Sequence, residues 1–174
     1  MAKKYGAALY SLAKEEGAAE DIMRDMKSVT ALFEENSGYA KILDSPRIKK
    51  GEITDILTHD FSGRVHIYTL NFLRLLCEKR MAHRIGECFK EYESRYNADN
   101  NIRIVKVTTA KPLSKPNEDK LIKKLEMKTG GRVVLKKRTD EKCLGGIIIE
   151  TDGVRIDMGI KTELENLKKE LIQN

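Results

Sequence analysis

No apolar run in this sequence approaches the roughly 20 residues needed to cross a bilayer. After Lys3-Lys4 there is no apolar core of the kind a secretory signal carries, so a signal peptide is not expected. An Arg- and Ser-rich, acid-free organellar leader is missing as well, although a mature form would have lost one. Cysteine is scarce: Cys77, Cys88 and Cys143 are odd in number and far apart. Cys77 and Cys88 fall on helical patterns with apolar neighbours. That placement fits free thiols in a reducing compartment and argues against a disulfide framework.

Catalytic signatures are also lacking. Nothing matches the Gly-x4-Gly-Lys-Ser/Thr phosphate loop, and neither Gly130-Gly131 nor Gly145-Gly146 has its spacing. His59, His66 and His83 have no Cys or carboxylate at metal-ligand spacing, so each reads as a surface or capping histidine. No Gly-x-Ser-x-Gly nucleophile elbow occurs. Asp140, Asp152 and Asp157 could form a carboxylate cluster, but two of them fall in turns, where Asp is common for local hydrogen bonding. No catalytic, metal-ligating or cofactor-binding residue is assigned.

What the chain does have is charge and helical periodicity. At 174 residues it is one large domain or two small ones, 34% charged and 40% hydrophobic, the composition of a helix-rich soluble protein. Its net charge of +6 is uneven. Residues 1–100 carry 16 basic and 16 acidic side chains, and residues 101–174 carry 17 and 11. A basic half can meet an acidic protein, meet nucleic acid, or simply be solvated. Lys136-Lys137-Arg138 has no interleaved aromatics, and no zinc or RNA-binding motif appears, which weakens the nucleic-acid alternative.

Residues 3–97 predict helix after helix. Tyr5, Ala8, Leu9, Leu12 and Ala13 recur at i, i+3, i+4, i+7, i+8, and Gly17 ends that stripe. Ile22, Met26, Val29, Leu32 and Phe33 form a second, stopped by Asn36-Ser37-Gly38. A short segment from Tyr39 to Leu43 precedes Asp44-Ser45-Pro46, where Pro46 disfavours helix at Ser45. Ile48, Ile53, Ile56 and Leu57 mark the next helix, broken at Ser62-Gly63. The run Val65 to Leu76 is apolar nearly all round, so its helix is central. Ala82, Ile85, Cys88, Phe89, Tyr92 and Tyr96 form the last. Six helices at short spacing imply a compact bundle.

Asn97-Ala98-Asp99-Asn100-Asn101 has the composition of a turn and reads as a polar linker. Beyond it the period changes to two. Ile102 to Thr109 alternates as a β-branched strand; Ser114 opens a helix to Thr129, closed by Gly130-Gly131, with Leu121, Ile122 and Leu125 inward. A strand follows at 132–138. Ile147-Ile148-Ile149 and Val154-Arg155-Ile156 flank Asp152-Gly153, a hairpin signature, and the glycine pair 145–146 suggests a bulge or close backbone approach. An amphipathic helix from Lys161 to Ile172 ends the chain. The expected fold class is α+β: a six-helix N-terminal bundle over 1–97, then a small α/β domain over 102–174 with a β-hairpin and a C-terminal helix.

Four stretches, in order, carry a family resemblance: Lys3-Lys4-Tyr5-Gly6-Ala7-Ala8-Leu9-Tyr10-Ser11-Leu12-Ala13; Asp44-Ser45-Pro46; Asn71-Phe72-Leu73-Arg74-Leu75-Leu76; and Leu144-Gly145-Gly146 with its triple Ile, Asp152-Gly153 and Ile156-Asp157. Together they resemble the delta subunit of F-type ATP synthases, called the oligomycin sensitivity-conferring protein in mitochondria. The resemblance covers nearly the whole chain. It implies a non-catalytic peripheral-stalk subunit that joins the catalytic alpha/beta head to the paired b subunits and holds the head static during proton-driven rotation. It implies that an alpha-subunit N-terminal helix docks between the first and fifth helices, on Tyr5, Ala8, Leu9, Leu75 and Lys79. The b subunits would meet the C-terminal domain at its last helix, through Glu163, Leu164, Leu167 and Leu171. It implies no cofactor, no nucleic acid and membrane contact only through the complex; the missing leader favours a bacterial subunit over an organellar one, and with it the cytoplasmic face of a bacterial plasma membrane. The sequence departs from the family's pattern at Gly6, where Ala is usual, at Met81 and at Met158-Gly159. A glycine inside the first helix would weaken it by roughly 0.5–1 kcal/mol.

Overall fold

A computed structural model of the chain describes residues 1–140, 146–151 and 154–157. Among these are seven α-helices and one four-stranded sheet. The chain divides into two compact units, Met1–Asn97 and Ala98–Asn174.

The first unit is helical: α1 (Ala2–Glu15), α2 (Ala19–Glu35), α3 (Ser37–Leu43), α4 (Lys50–Phe61), α5 (Ile67–Glu78) and α6 (Ile85–Asp99), with a 3-10 turn at Ala82–Arg84 before α6. Its core draws on every helix; Ile22, Met26, Leu43, Leu57, Leu76 and Tyr92 are fully buried. Cys77 and Cys88 are free and buried in it. Burial pushes the Cys77 thiol up to about 12 and the Cys88 thiol up to about 11, so both stay protonated and inert at neutral pH.

The ends of α1 and α5 share one device. After α1, Gly17 takes the left-handed conformation (φ +68°), and the Ala18 N–H reaches back to the Ala13 carbonyl at 2.9 Å. After α5 the same pattern recurs with Arg80 at the left-handed position (φ 52°) and a 2.8 Å bond from the Met81 N–H to the Leu76 carbonyl. Both are Schellman closures, which satisfy the last carbonyls of a helix.

Several sequence expectations need correction here. Gly6 is not a weak point of α1. It is buried, and an added β-carbon would collide with the Cys88 carbonyl oxygen and lie 3.1 Å from the Cys88 α-carbon. Glycine is what lets α1 lie backbone to backbone on α6. That contact also rotates α1: its buried face is Ala2, Gly6, Leu9, Tyr10 and Ala13, while Ala8 and Leu12 from the expected stripe are exposed. The break after α2 is narrower than Asn36-Ser37-Gly38. Asn36 alone interrupts, its side-chain amide donating to the Leu32 carbonyl at 3.0 Å, and Ser37 and Gly38 already belong to α3. Tertiary contacts hold that short helix: the Tyr39 ring meets Phe33 edge-on at 5.2 Å, and its hydroxyl donates to Asp60 at 2.6 Å.

In the second unit, β1 (Ile102–Thr109), α7 (Lys115–Thr129), β2 (Arg132–Thr139), β3 (Ile147–Thr151) and β4 (Val154–Asp157) build a sheet in the order β2-β1-β3-β4. β1 and β2 run parallel with α7 as the crossover, and β3 lies antiparallel to both β1 and β4. Val105, Val107, Val133 and Ile149 are its buried core, covered by the half-buried Leu121, Ile122 and Leu125 of α7. Ser114 precedes α7 without a side-chain capping bond, and Gly130 closes it in the left-handed conformation. The linker is shorter than its composition suggests. Asn97, Ala98 and Asp99 continue α6, and only Asn100 and Asn101 separate it from β1. Asn101 turns the chain at φ 52°, a conformation asparagine tolerates, and its side chain donates to the Gly130 carbonyl at 3.1 Å. The 152–153 turn and the expected helix from Lys161 lie outside the described residues.

Gly6→Ala tests the reading of the α1–α6 contact. Helix propensity alone would stabilise the protein by roughly 0.5–1 kcal/mol. The backbone clash reverses the sign, and a loss of about 1–3 kcal/mol is expected in denaturant unfolding, the range for overpacking. A gain in stability would contradict the contact.

Candidate functional site

Two helical faces meet at an open groove in the first unit. α1 contributes Tyr5, Ala8, Leu9 and Leu12; α5 contributes Tyr68, Asn71, Phe72 and Leu75. Each set has the spacing i, i+3, i+4, i+7, so each is one stripe about two turns long. The groove has a volume of about 400 Å³. Leu9 and Phe72 are buried and form its floor. Leu12 and Leu75 are each 38% exposed, and Tyr5 and Tyr68 are half-buried, so these four form the rim. Ala8 is exposed and small, which leaves room for a close approach from outside.

Both walls are pinned from behind. α1 is held on α6 by the Gly6–Cys88 approach and by Tyr10, whose ring meets Tyr92 edge-on at 5.3 Å. The Tyr92 hydroxyl donates to the Ala19 carbonyl at 2.9 Å, tying in the start of α2. Burial raises its pKa well above the ordinary tyrosine value, so this donor keeps its proton. α5 is held at its N-terminus by Asp25 of α2, whose carboxylate accepts from the His66 N–H at 2.6 Å and from the Thr69 hydroxyl at 3.1 Å. A carboxylate at a helix N-terminus satisfies orphan donors and complements the dipole. His66 adds a cap: its Nδ1 accepts from the Tyr68 N–H at 3.3 Å. Glu16 accepts from the Tyr68 hydroxyl, which raises that phenol's pKa and fixes the rim at this end.

Of the residues expected to bind an alpha-subunit helix, Tyr5, Ala8, Leu9 and Leu75 line this groove. Lys79 does not; it is the C-cap of α5, one turn beyond Leu75 and exposed. Tyr68, Asn71 and Phe72 also line it, and the sequence reading left them out of the site. The available signal was their spacing, which repeats that of Tyr5 to Leu12. Glu163, Leu164, Leu167 and Leu171 lie outside the described residues.

A second opening of about 500 Å³ lies among α2, α3 and α4, bounded by Leu32, Ile42, Phe61 and Arg64. Tyr39 and Asp60, joined by their hydrogen bond, are part of its lining. Among the described residues no group of three or more His, Cys, Asp or Glu could hold a metal ion. His83 Nδ1 lies 2.6 Å from Asp44, whose carboxylate also accepts from the Ala82 and His83 N–H groups at 2.8 and 3.0 Å. That cluster caps the 3-10 turn ahead of α6.

Comparison with known proteins agrees along the whole chain. The family model described as ATP synthase delta (OSCP) subunit matches residues 1–171. An ATP synthase subunit delta from Clostridium botulinum (strain Loch Maree) is 30% identical over 171 residues, covering 98% of this chain and 96% of that protein. Another from Clostridium kluyveri is 27% identical over 171 residues, covering 98% and 94%. A chain in the structure of the Toxoplasma gondii mitochondrial ATP synthase hexamer shares the fold, with a TM-score of 0.75 at 18% identity, covering 99% of this chain and 97% of that one. With a family match over nearly every residue and relatives aligned end to end, this chain belongs to the ATP synthase delta (OSCP) subunit family.

Proposed function

We propose that this chain, a peripheral-stalk component of the F-type ATP synthase, joins the catalytic alpha/beta head to the b subunits and carries no catalytic step itself. The observation that supports this reading best is the open groove between α1 and α5, apolar but for Asn71 and the hydroxyls of Tyr5 and Tyr68. An amphipathic helix with apolar residues at i, i+3, i+4 and i+7 would complement the two stripes, the geometry of helix-in-groove recognition. The alpha-subunit N-terminal helix is the proposed occupant. Tyr5 and Tyr68 at the rim are rigid amphipathic anchors of the kind enriched where binding energy concentrates. Lys79, off the lining, would contribute at most a peripheral charge.

The second unit is proposed to meet the b subunits, through its last helix with Glu163, Leu164, Leu167 and Leu171. Membrane association would come through the complex, on the cytoplasmic face of a bacterial plasma membrane. Among the described residues no helix is long and apolar enough to cross a membrane. The comparisons give the nucleic-acid alternative no support.

Leu75→Glu tests the groove. Leu75 is 38% exposed and its neighbour Leu76 1%. A glutamate at 75 remains solvated in the free subunit but is buried without a partner in the complex, at a cost of several kcal/mol. Circular dichroism and melting temperature are expected near wild type, with affinity for an alpha-subunit N-terminal peptide reduced about 100-fold or more. Leu76→Glu should instead unfold the bundle. Intact peptide binding by a folded Leu75→Glu would remove Leu75 from the site.

The two units are further proposed to be separable domains, 1–97 and 102–174. Limited proteolysis is then expected to cut first at Asn100-Asn101, since exposed polar connections are nicked before packed elements. The released N-terminal fragment should remain helical. A first cut inside α5 would count against separable domains.

A further inference from the structure

The sheet of the second unit has two unlike faces. On one, Val105 and Val107 of β1 are buried under α7. Lys137 belongs to the α7 side as well, and its ammonium donates to Glu118 of α7 at 2.8 Å. Strand alternation sends the neighbouring residues to the other face. There Lys106 of β1 stands in register with Lys136 of β2, and Thr108 with Arg138. Arg155 of β4 joins them, paired in register with Glu150, its guanidinium 3.4 Å from that carboxylate. Together with Ile148 and Asp140 these residues bound a shallow opening of about 410 Å³.

Lys106 also stands in register with Glu150 of β3, so it has one like and one opposite charge as cross-strand neighbours. Like charges directly opposed across a strand pair are unfavourable. Along the opening Lys106, Lys136, Lys137, Arg138 and Arg155 outnumber Asp140 and Glu150, with Lys137 paired to Glu118 of α7. Lys106, Lys136, Arg138 and Arg155 are all exposed, and the half-buried Ile148 and Thr108 lie between them as a less polar strip. A cationic surface with an apolar strip complements a segment that is itself acidic and amphipathic. Nucleic acid fits less well. Residues 101–174 contain no Phe, Tyr or Trp, so no aromatic ring is there to stack a base. Asp140 and Glu150 would also face the phosphates.

We propose that the face of the four-stranded sheet opposite α7 is a docking surface for an acidic, amphipathic segment of the stalk partner. The inference rests on the stalk reading above. It adds to it a surface on the sheet, and a charge sign for the partner, that the last helix does not supply. Recognition there is electrostatic in reach and apolar in the middle, so it sets orientation and association rate as well as affinity.

The test is a calorimetric titration of the full chain with the soluble part of the b subunits of the same complex. It is run at low and at moderate salt, with Lys106→Glu/Arg138→Glu as the variant. Lys124→Glu, exposed on α7, removes the same kind of charge from the opposite side. Wild-type affinity is expected to fall several-fold as the Debye length shrinks from about 10 Å toward half that. At low salt the double variant should lose about tenfold or more, while Lys124→Glu stays within about twofold. If the double variant unfolds, Lys106→Gln/Arg138→Gln takes its place, and a smaller loss in the same direction is expected. Wild-type binding that the sheet-face variants leave unchanged would overturn this surface and spare the stalk reading. So would equal losses in all variants, which would mean general charge steering. Absence of wild-type binding would overturn both. A 20-nucleotide poly(U) RNA that binds more tightly than the b fragment would overturn the choice of a protein partner.

Discussion

The helical unit depends on one close approach. α1 can lie against α6 only because Gly6 leaves space for the Cys88 backbone, and Tyr10 then seats its ring on Tyr92. With α1 pinned on that side, and α5 pinned through Asp25 on α2, the facing stripes of the two helices remain open. A groove built from helices fixed at their backs loses little freedom when a partner enters, and preorganisation of that kind lowers the cost of association. Apolar side chains at its rim, Leu12 and Leu75, are tolerated in the free chain because each is already about two-thirds covered.

On the proposed reading, the two units would hold their partners by different physics. The α1–α5 groove is apolar, so its grip would be short-ranged and little affected by salt. The sheet face of the second unit is cationic, so its attraction would act over a Debye length and weaken as salt rises. A stator has to resist torque steadily while assembling from separate subunits. An apolar socket suits holding, and a charged face suits guided assembly.

Much of the architecture was legible because periodicity reports burial. The shift from a period of 3.6 to a period of two after residue 101 matches the change from α6 to β1. At about 100° per residue Leu75 lies at the edge of the apolar arc around Phe72, Leu73 and Leu76, and it is more exposed than any of those three. What a single sequence conceals is what a neighbour demands. Gly6 read as a propensity defect because its cost is local, whereas its benefit lies 82 residues away at Cys88. The same contact turned α1, placing Leu12 at a rim and Tyr10 in the core. Asn97 to Asp99 carry turn residues yet extend α6, since composition marks where a helix is free to stop and not where it does. Lys79 was expected in the groove on the family resemblance, but α5 closes around Arg80 and leaves Lys79 at the cap.

Hydrogen–deuterium exchange of the full chain, with and without an alpha-subunit N-terminal peptide, tests the central claim most directly. The groove reading expects new protection concentrated in α1 and α5, over Tyr5 to Leu12 and Tyr68 to Leu75, with α3, α4 and the second unit unchanged. Protection appearing instead around α3 and α4, or no protection at saturating peptide, would contradict it.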